Sequence, residues 1–155
     1  MQICRITEMH LREALRLVEK VFYEFDAPYY DERGVKSFLH FISFQNMSEM
    51  LEKKEILFYG AYEGNEMIRV VALRGDQHLS LLFVRKEHHR KGVAKKLFRL
   101  IVAICKERAL KKNMITVNAS PYAVEIYKRL GFAKLEEEKI KNGIRYTPMA
   151  YMIKA

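Results

Sequence analysis

Apolar and polar positions alternate along this chain with two different periods, and each period indicates a type of element. Residues 2–7 alternate at every second position, which predicts a short strand. Apolar residues recur at helical spacing from Leu11 to Phe25, and a second helical pattern runs from about Val35 to Glu52. A polar loop with the sequence DAPYYDERG separates the two predicted helices.

Three segments rich in Val, Ile and Leu follow the second helix and predict three strands. They run from Ile56 to Tyr62, from Met67 to Leu73 and from Leu79 to Val84. A Gly-Asn pair and a Gly-Asp pair supply the turn residues between them. Because these connections are short, we expect the three strands to form an antiparallel meander.

A long helix is predicted from about Val93 to Leu110, and a strand follows it from Met114 to Val117. The next helix is short and has clear signals at its ends. Ser120 suits the N-cap position and Pro121 suits the first helical position. Gly131 stands where a glycine commonly ends a helix.

Two strands close the chain, Phe132–Lys139 and Arg145–Ile153, around an Asn-Gly pair that is typical of tight hairpins. The order of elements is β-α-α-β-β-β-α-β-α-β-β. This order predicts an α/β (α+β) fold with a mixed, twisted sheet of six to seven strands and helices on both faces. With 155 residues, the chain suits a single domain over residues 1–155.

Positive charge is concentrated in one stretch of the chain. Arg85–Lys112 contains eleven Lys or Arg and two Glu, an excess of nine that equals the net charge of the whole chain. Within this stretch a predicted strand, a short turn with one glycine and a helix start follow one another, which is typical of a phosphate site. The sequence therefore predicts a local anion site more than a surface that coats nucleic acid.

The cysteines and the amino terminus exclude several classes of protein. Cys4 and Cys105 lie far apart and lack CxxC spacing, so we expect two reduced thiols and neither a disulfide framework nor a metal site. The amino-terminal residues lack the long apolar core of a signal peptide or a membrane span. We therefore expect a cytoplasmic protein.

Two motifs carry a resemblance to a known family. The sequence HHRKGVAKKL, followed by ITVNASPYAVEIYKRLGF, resembles the acetyl-CoA-binding core of the GNAT superfamily of acyl-CoA N-acyltransferases. In that family the turn reads Gln or Arg, two residues, Gly, one residue, and Gly or Ala. Here Gly92 and Ala94 match, and His89 replaces the leading Gln or Arg. The resemblance covers the core from about Ile56 to Phe132, and the Walker and GxGxxG patterns of other phosphate-binding folds are absent.

The resemblance implies acetyl-CoA as the cosubstrate and assigns it a binding surface. In the family, backbone amides of the turn and of the helix start hold the pyrophosphate, and glycine allows a close approach. The pantetheine arm lies like an extra strand against the fourth strand, and a residue at the end of the fifth strand contacts the cofactor. The corresponding residues are Leu82, Phe83, Val84, His89, Arg90, Lys91, Gly92, Val93, Ala94, Lys95 and Asn118.

The family commonly has a tyrosine in the helix after the fifth strand, and Tyr127 occupies that position. When an acyl group passes from a thioester to an amine, a thiolate leaves, and a phenol beside the sulfur can protonate it as a general acid. The resemblance implies this role for Tyr127. Helical spacing also puts Ala123, Tyr127 and Leu130 on one face, so core packing is the alternative.

The attacking amine must lose a proton, because an alkylamine resembles lysine, whose pKa is about 10.4. His78 lies at the start of the fourth predicted strand, and strict alternation would place it on one face with Ser80 and Leu82, along the cleft. An imidazole suits the task, so His78 is a candidate general base. The other candidates are Glu24, Asp26, Glu87 and an ordered chain of water molecules.

The polar loop after the first helix falls in the most variable region of the family and is expected to build the acceptor side. Carboxylates and aromatic faces there could attract and hold a cationic amine, although a solvated loop is the alternative. Tyr146, Thr147 and Met149 could complete the pocket, with ordinary strand packing as their alternative role. The loop residues concerned are Asp26, Tyr29, Tyr30, Asp31 and Glu32.

These expectations combine into an N-acetyltransferase that moves acetyl from acetyl-CoA to a primary amine of a small molecule, peptide or protein. Direct transfer in a ternary complex is expected, because neither cysteine falls near the predicted reaction centre. A noncatalytic acyl-CoA-binding regulatory module is the alternative. A nucleic-acid surface over Arg85–Lys112 ranks last, because aromatic side chains are not interleaved with its cations. Family habit alone suggests a homodimer.

Overall fold

The computed structural model describes residues 2–75, 77–89, 92–107 and 113–153, which form one eight-stranded sheet with five α-helices. The strands are β1 (Gln2–Ile6), β2 (Ile56–Glu63), β3 (Glu66–Arg74), β4 (His78–Val84), β5 (Met114–Ala119), β6 (Ala133–Lys134), β7 (Lys139–Lys141) and β8 (Ile144–Met152). The helices are α1 (Glu8–Val21), α2 (Glu32–Phe41), α3 (Phe44–Glu52), α4 (Val93–Glu107) and α5 (Val124–Leu130). No helix in these ranges combines the length and the apolar character that crossing a membrane requires.

The sheet has mixed strand directions, as the sequence predicts. Its order is β1-β2-β3-β4-β5-β8-β6, with β7 paired to β8. β2, β3 and β4 form the expected antiparallel meander, whereas β4 and β5 pair in parallel. The α/β (α+β) class is therefore confirmed. Where one strand is predicted over Phe132–Lys139, the structure has a two-residue β6 and a β7 that begins at Lys139, which is why the sheet has eight strands and not six or seven.

Helices cover both faces of the sheet, and β3 provides the evidence. Every residue from Met67 to Leu73 is buried, so this strand is covered on both sides. Val70 and Ala72 belong to a core cluster with α1, α2 and α3, while Val71 and Leu73 belong to a second cluster with α4 and α5. Burial of aliphatic side chains larger than alanine stabilises the fold by about 1.5–3 kcal/mol each, so these two cores fix the helices on the sheet.

The helical region predicted from Val35 to Glu52 is two helices, because the chain turns between α2 and α3. Ile42 follows the end of α2, and Ser43 caps α3 by accepting the Asn46 backbone N–H on its Oγ at 3.3 Å. Both helices pack on the same core cluster, so apolar residues recur at helical spacing through the turn between α2 and α3. The prediction of one continuous helix is wrong for that reason.

α1 continues into a turn that is not α-helical. Phe22–Asp26 forms a π-helical turn, and Ala27–Tyr29 follows as a 3₁₀ turn. A π-helical turn contains an extra residue and is frequent at functional sites. The extra residue shifts Phe25 and Asp26 around the helix axis relative to the apolar face of α1.

β4 contains a bulge at Ser80. Leu79 pairs with Leu73 of β3 and Leu81 pairs with Ala72, so Ser80 has no partner in the register. Its Oγ is buried and has no hydrogen-bond partner among the described residues. A bulge shifts the alternation of the residues that follow it, which changes the side of the sheet that each one faces.

The bulge overturns the expectation that His78 and Leu82 share a face. Leu79 and Leu82 both pack in the core cluster of α4 and α5, although they are three positions apart. Leu81 packs in the cluster on the other face. Because His78 directly precedes Leu79 in a regular part of the strand, it lies on the face opposite Leu82.

β4 and β5 run side by side for two residue pairs and then separate. His78 pairs with Thr116 and Leu79 pairs with Val117, while β4 continues as far as Val84. On its other side β5 stays paired with β8 along its whole length. The carboxyl-terminal ends of β4 and β5 therefore leave a gap in the sheet.

The turn between β7 and β8 packs on the start of α2 through two glycines. Gly34 and Gly143 approach so closely that a Cβ on Gly34 would overlap the carbonyl oxygen of Gly143. Arg33 and Ser37 donate to the side-chain and main-chain oxygens of Asn142, at 3.1 Å in each case. The Asn-Gly hairpin turn predicted from the sequence is confirmed, and it also holds α2 in place.

Replacement of Gly34 by alanine should destabilise the fold, because the added methyl group has no room between α2 and the β7–β8 turn. In an exposed helix the same change would stabilise by up to about 1 kcal/mol, whereas overpacking here should cost about 1–3 kcal/mol. Urea unfolding measures the difference, with Lys36→Ala at an exposed position of α2 as the control. A gain in stability for Gly34→Ala would contradict the close contact.

Candidate active site

One cleft opens where β4 and β5 separate, and its volume is about 480 Å³. The end of β4, the start of α4, α5 and the π-helical turn after α1 form its walls. It therefore joins the predicted cofactor turn to the predicted catalytic tyrosine. The described residues that line it are Val21, Phe25, Asp26, Leu82, Phe83, Val84, His88, His89, Gly92, Lys95, Tyr122, Ala123, Glu125, Ile126, Tyr127, Arg129 and Leu130.

The glycine turn before α4 has the geometry of an anion site. Gly92 has a φ of +69°, and a Cβ at this position would meet nothing within 4 Å. α4 begins at Val93, and the Lys96 N–H donates to the Gly92 carbonyl oxygen at 3.1 Å. The backbone N–H groups of residues 93–95 precede that bond, and such groups at a helix start are available to an anion.

His89, the first residue of the predicted turn motif, holds the turn to the end of β4. Its Nε2 donates a hydrogen bond to the Val84 carbonyl oxygen at 2.7 Å. This hydrogen bond occupies Nε2 and links the turn to the end of β4. The other predicted turn residues divide into two pairs: Val93 and Ala94 begin α4, while Arg90 and Lys91 lie outside the described residues.

Two residues of the basic stretch contact the β2–β3 hairpin. Arg85 Nε donates to the Met67 carbonyl oxygen at 2.7 Å and lies 3.6 Å from a carboxylate oxygen of Glu66. His88 Nδ1 lies 3.4 Å from a carboxylate oxygen of Glu63. Of the predicted positive charge, Arg85 thus anchors the turn to the hairpin, while Lys95 lies in the cleft.

The end of β4 directs backbone polar groups into the gap. The Arg85 N–H donates to Ile68 of β3 at 2.9 Å. In an antiparallel ladder every second residue bonds to the same neighbour, so Phe83 also bonds toward β3 and its two neighbours point away. The carbonyl and amide groups of Leu82 and Val84 therefore face the gap, where an extended chain could pair with them.

Tyr127 lies in α5, lines the cleft and is 6% exposed. Its ring packs edge to face on Phe132, with ring centroids 5.2 Å apart. Burial raises the pKa of its phenol, and the nearby charge of Asp26 raises it further. The hydroxyl is therefore protonated at neutral pH. Core packing and a place in the cleft, which the sequence presents as alternatives, occur together in this residue.

Asp26 is the carboxylate among the candidate bases that the structure brings into the cleft. Ser120 Oγ donates to its Oδ1 at 2.7 Å. Burial raises the pKa of Asp26 to about 6, although the hydrogen bond from Ser120 opposes that shift. The other two carboxylates considered, Glu24 and Glu87, are exposed and are not among the described residues of the lining.

His78 and Asn118 are likewise not among the described residues that line the cleft. His78 lies at the end of β4 that pairs with β5, before the strands separate, and its Nδ1 shares a hydrogen bond of 2.9 Å with Thr116 Oγ1. Burial and the nearby Arg74 lower the pKa of His78 to about 4, so it is a weaker base than a free imidazole. The expectation that His78 points along the cleft is therefore corrected. Asn118 is exposed near the end of β5.

A stack of three rings joins the walls of the cleft. The Phe25 ring lies between those of His89 and Tyr122, with centroid distances of 4.7 and 4.9 Å. The three rings come from the turn before α4, the π-helical turn after α1 and the turn before α5. Asp26, next to Phe25 in the chain, is thereby held where these three segments meet.

The loop expected to bind the acceptor uses several polar groups in local structure. Asp31 Oδ1 accepts the Gly34 N–H at 2.8 Å and caps α2. Glu32 lies 3.1 Å from Lys36 Nζ, one helical turn later. The carboxylates of Asp31 and Glu32 therefore have local partners within α2 and its cap.

Tyr30 lies near Asp26, while its neighbour Tyr29 is exposed. Burial raises the pKa of Tyr30, and the charge of Asp26 raises it further. Its ring centroid is 5.7 Å from that of Phe22. Three β8 residues that were considered for the pocket take part in strand pairing and are not among its described lining: Tyr146, Thr147 and Met149.

Ser120 has two contacts, of which sequence reasoning found one. Its Oγ accepts the Ala123 N–H at 3.3 Å, as a cap does, although the regular helix begins later, at Val124. The same hydroxyl donates to Asp26, 94 positions earlier in the chain. Local patterns carry no signal for so distant a contact. Gly131 ends α5 with a φ of +105°, as predicted.

Comparison of the chain with a sequence model of the acetyltransferase (GNAT) domain gives a match over residues 26–153. That range includes the glycine turn, both strands that separate and the cleft tyrosine. No curated protein matches the chain in sequence.

Solved structures resemble the fold along nearly its whole length. One is a GCN5-related N-acetyltransferase from Rhodopseudomonas palustris, with a TM-score of 0.82, 16% identity and coverage of 97% of this chain and 94% of that one. Another is PaiA N-acetyltransferase from Thermoplasma acidophilum in complex with coenzyme A, with a TM-score of 0.79, 17% identity and coverage of 97% and 98%. An aminoglycoside 6'-N-acetyltransferase complexed with coenzyme A has a TM-score of 0.69, 12% identity and coverage of 100% and 98%. At these identities the likeness is one of fold.

The raised pKa of Asp26 predicts a pH-dependent cost to stability. The pKa of Asp26 is about 6 in the folded protein and 3.8 in a free side chain. The protonated carboxyl therefore contributes stability that is fully present below pH 3.8 and is lost as the pH rises through about 6. The loss should approach about 3 kcal/mol. Urea unfolding of the wild type and of Asp26→Asn between about pH 4 and pH 7 measures this loss. The free energy of unfolding of the variant should increase relative to that of the wild type as the pH rises. A difference that does not change with pH would contradict the assignment.

Proposed function

The chain belongs to the GNAT family of acetyltransferases, and on that premise we propose that it transfers the acetyl group of acetyl-CoA to a primary amine. The observation that carries the proposal is a single cleft that contains both the Gly92 turn and Tyr127. One end of this cleft suits phosphate groups and the other suits thioester chemistry. A long cosubstrate with an anionic tail and a reactive head would occupy both ends at once.

The described residues fit coenzyme A. The space beside Gly92 is open, and the helix start supplies backbone donors for a pyrophosphate. Lys95 is exposed in the cleft and adds positive charge. Leu82 and Val84 offer backbone groups to an extended pantetheine arm, although the Val84 carbonyl already accepts a hydrogen bond from His89. Pairing of that arm with β4 would therefore use the backbone groups of Leu82 and the N–H of Val84.

Tyr127 is proposed as the general acid. The thiolate that leaves during acyl transfer needs a proton, and a buried phenol that is protonated at neutral pH can donate one. The raised pKa of the phenol makes full transfer of the proton unfavourable while Asp26 is charged. Neutralisation of that carboxylate would lower the pKa of Tyr127 and make it a better acid.

Direct transfer from the thioester to the amine is proposed, without an acyl-enzyme intermediate. Cys4 lies in β1, and Cys105 is buried in α4. Neither is among the described residues that line the cleft. A route through a cysteine thiolate would need such a residue at the reaction centre.

Coenzyme A should bind to the wild type and should bind much less tightly to Gly92→Ala. The new Cβ would stand in the open space through which a phosphate group approaches the backbone. We expect an increase of at least about tenfold in Kd, measured by calorimetry, which corresponds to about 1.4 kcal/mol. Gly64→Ala is the matched control, because Gly64 also has a positive φ and open surroundings but lies in the β2–β3 turn. Equal effects of the two changes would contradict the phosphate assignment.

Tyr127→Phe should lower kcat by about 10²- to 10⁴-fold, because the phenol that protonates the thiolate is lost. Thiol release from acetyl-CoA with 2-phenylethylamine, spermidine and kanamycin as acceptors measures the rate. The Kd of coenzyme A should stay within about twofold, since no hydroxyl contact to the phosphates is removed. Tyr151→Phe is the control, because Tyr151 packs in the same aromatic cluster as Phe132 but is not among the described residues of the cleft.

Two results would contradict this account in different ways. Unchanged kcat in Tyr127→Phe would remove Tyr127 from its catalytic role. Tight binding of coenzyme A without turnover on any amine would favour a noncatalytic acyl-CoA-binding module.

A further inference from the structure

We propose that Asp26, held in place by Ser120, binds the ammonium group of a monocationic amine and accepts its proton before acetyl transfer. This inference rests on the proposed function and names the acceptor class and the base of that reaction. The sequence alone does not distinguish Asp26 from the other candidate bases.

The contacts of Asp26 leave one carboxylate oxygen for a ligand. Oδ1 accepts the hydrogen bond from Ser120 at 2.7 Å, whereas Oδ2 has no hydrogen-bond partner among the described residues. The π-helical turn and the Phe25 ring stack fix the backbone on either side of this contact. One oxygen is thus anchored, and the other can pair with a cation in the cleft.

The charges around the cleft favour an acceptor with one positive charge. Glu125, the other carboxylate among the described lining residues, lies 3.3 Å from Lys128 Nζ. Arg129 adds positive charge to the lining, which would repel further cationic groups, whereas the charge of Lys95 is assigned to the phosphates of coenzyme A. Among the described lining residues, a polycation would therefore find one carboxylate without a cationic partner, Asp26, and one repelling residue.

The surface next to Asp26 is aromatic. Phe25 and Tyr122 stack with centroids 4.9 Å apart, and both line the cleft. Tyr30 lies near the carboxylate on the loop side. His89 and Tyr122 cover the faces of the Phe25 ring, so contacts to an apolar or aromatic body and to an ammonium group would come from its edge and from the Tyr122 and Tyr30 rings. An arylalkylamine satisfies both the single charge and the aromatic surface.

The proposed reaction balances in protons and electrons. The ammonium group gives one proton to Asp26, and the freed nitrogen lone pair forms a C–N bond to the thioester carbonyl carbon. The C–S bond then breaks and its electron pair leaves on sulfur, which takes the proton of Tyr127. The protonated amide nitrogen returns a proton to the Tyr127 phenolate, and the proton on Asp26 is released to solvent. The net products are an amide, a free thiol and one proton.

The groups that face this part of the cleft bear on its pH dependence. Tyr30 and Tyr127 lie near Asp26 and are both neutral at neutral pH, because their pKa values are raised. The other titratable groups among the described lining are His88, His89, Lys95, Glu125 and Arg129. Of these, His89 packs on the ring of Phe25, the residue that precedes Asp26 in the chain. Its Nε2 is hydrogen-bonded to the Val84 carbonyl oxygen.

The first test compares Asp26→Asn with Glu24→Gln, a matched change two positions earlier at an exposed carboxylate. With 2-phenylethylamine as the acceptor, Asp26→Asn should lower kcat/KM by about 10²-fold or more at neutral pH. Calorimetry should show at least a tenfold weaker affinity of its coenzyme A complex for the same amine. Coenzyme A affinity itself should be unchanged, and Glu24→Gln should match the wild type in all three measurements.

The second test uses the pH profile, which a purely structural role would not move. The wild-type rate should rise with pH through the pKa of Asp26, and this limb should be absent in Asp26→Asn. Ser120→Ala should shift the limb to higher pH, because the hydrogen bond that stabilises the carboxylate is removed. A limb that stays in place in both variants would overturn the proposal.

The acceptor class is tested with the same three amines. We expect 2-phenylethylamine to exceed spermidine and kanamycin in kcat/KM by at least tenfold, and the reverse order would overturn the monocation assignment. Wild-type protein that binds coenzyme A but neither binds nor acetylates any of the three would overturn this inference and leave the cofactor site standing. Wild-type protein that does not bind coenzyme A would overturn the proposed function as well.

Discussion

The separation of β4 from β5 is the constraint on which the rest of the site depends. Two parallel strands that part after two residue pairs leave backbone donors and acceptors without a sheet partner. A polar group left without any partner in this way would cost about 1–3 kcal/mol, so these groups need water, another part of the protein or a ligand as a partner. His89 satisfies the Val84 carbonyl, and by doing so it fixes the turn that leads to the helix start. The gap, the turn and the proposed phosphate site are therefore parts of one arrangement.

In the proposed reaction, the chemistry of the cleft depends on the charge of Asp26. An alkylamine and a carboxylate with a pKa of about 6 differ by about four pKa units, so moving the proton between them costs about 6 kcal/mol. A turnover of about 10 per second corresponds to a barrier of about 16 kcal/mol, which leaves room for that step. His78, with a pKa of about 4, would raise the cost to about 9 kcal/mol. Proton uptake by Asp26 would also remove the charge that raises the pKa of Tyr127, so the proposed base and the proposed acid are coupled.

Sequence periodicity predicted the elements that depend on local spacing. The meander, the glycine that ends α5 and the Asn-Gly hairpin are all set by short-range pattern and turn chemistry, and the structure contains each of them. The bulge at Ser80 carries no such signal in the sequence. It keeps the period of two residues but changes the face that each later residue of β4 occupies. The face of His78 was misjudged for that reason.

The site itself was predicted unevenly for a similar reason. Gly92 and Tyr127 belong to motifs whose residues are close together in the chain, and the structure places both in the cleft. The Ser120 contact to Asp26 and the ring stack on Phe25 join segments more than 60 residues apart. Such contacts follow from the packing of the whole fold, and short-range sequence patterns do not indicate them.

The position of the coenzyme A sulfur in a crystal structure of the complex tests the central claim most directly. The account predicts the pyrophosphate at the start of α4, the pantetheine arm beside Leu82 and the sulfur within hydrogen-bonding distance of the Tyr127 hydroxyl. A complex in which coenzyme A lies elsewhere, or in which the sulfur points away from Tyr127 with the gap between β4 and β5 filled by side chains, would contradict it.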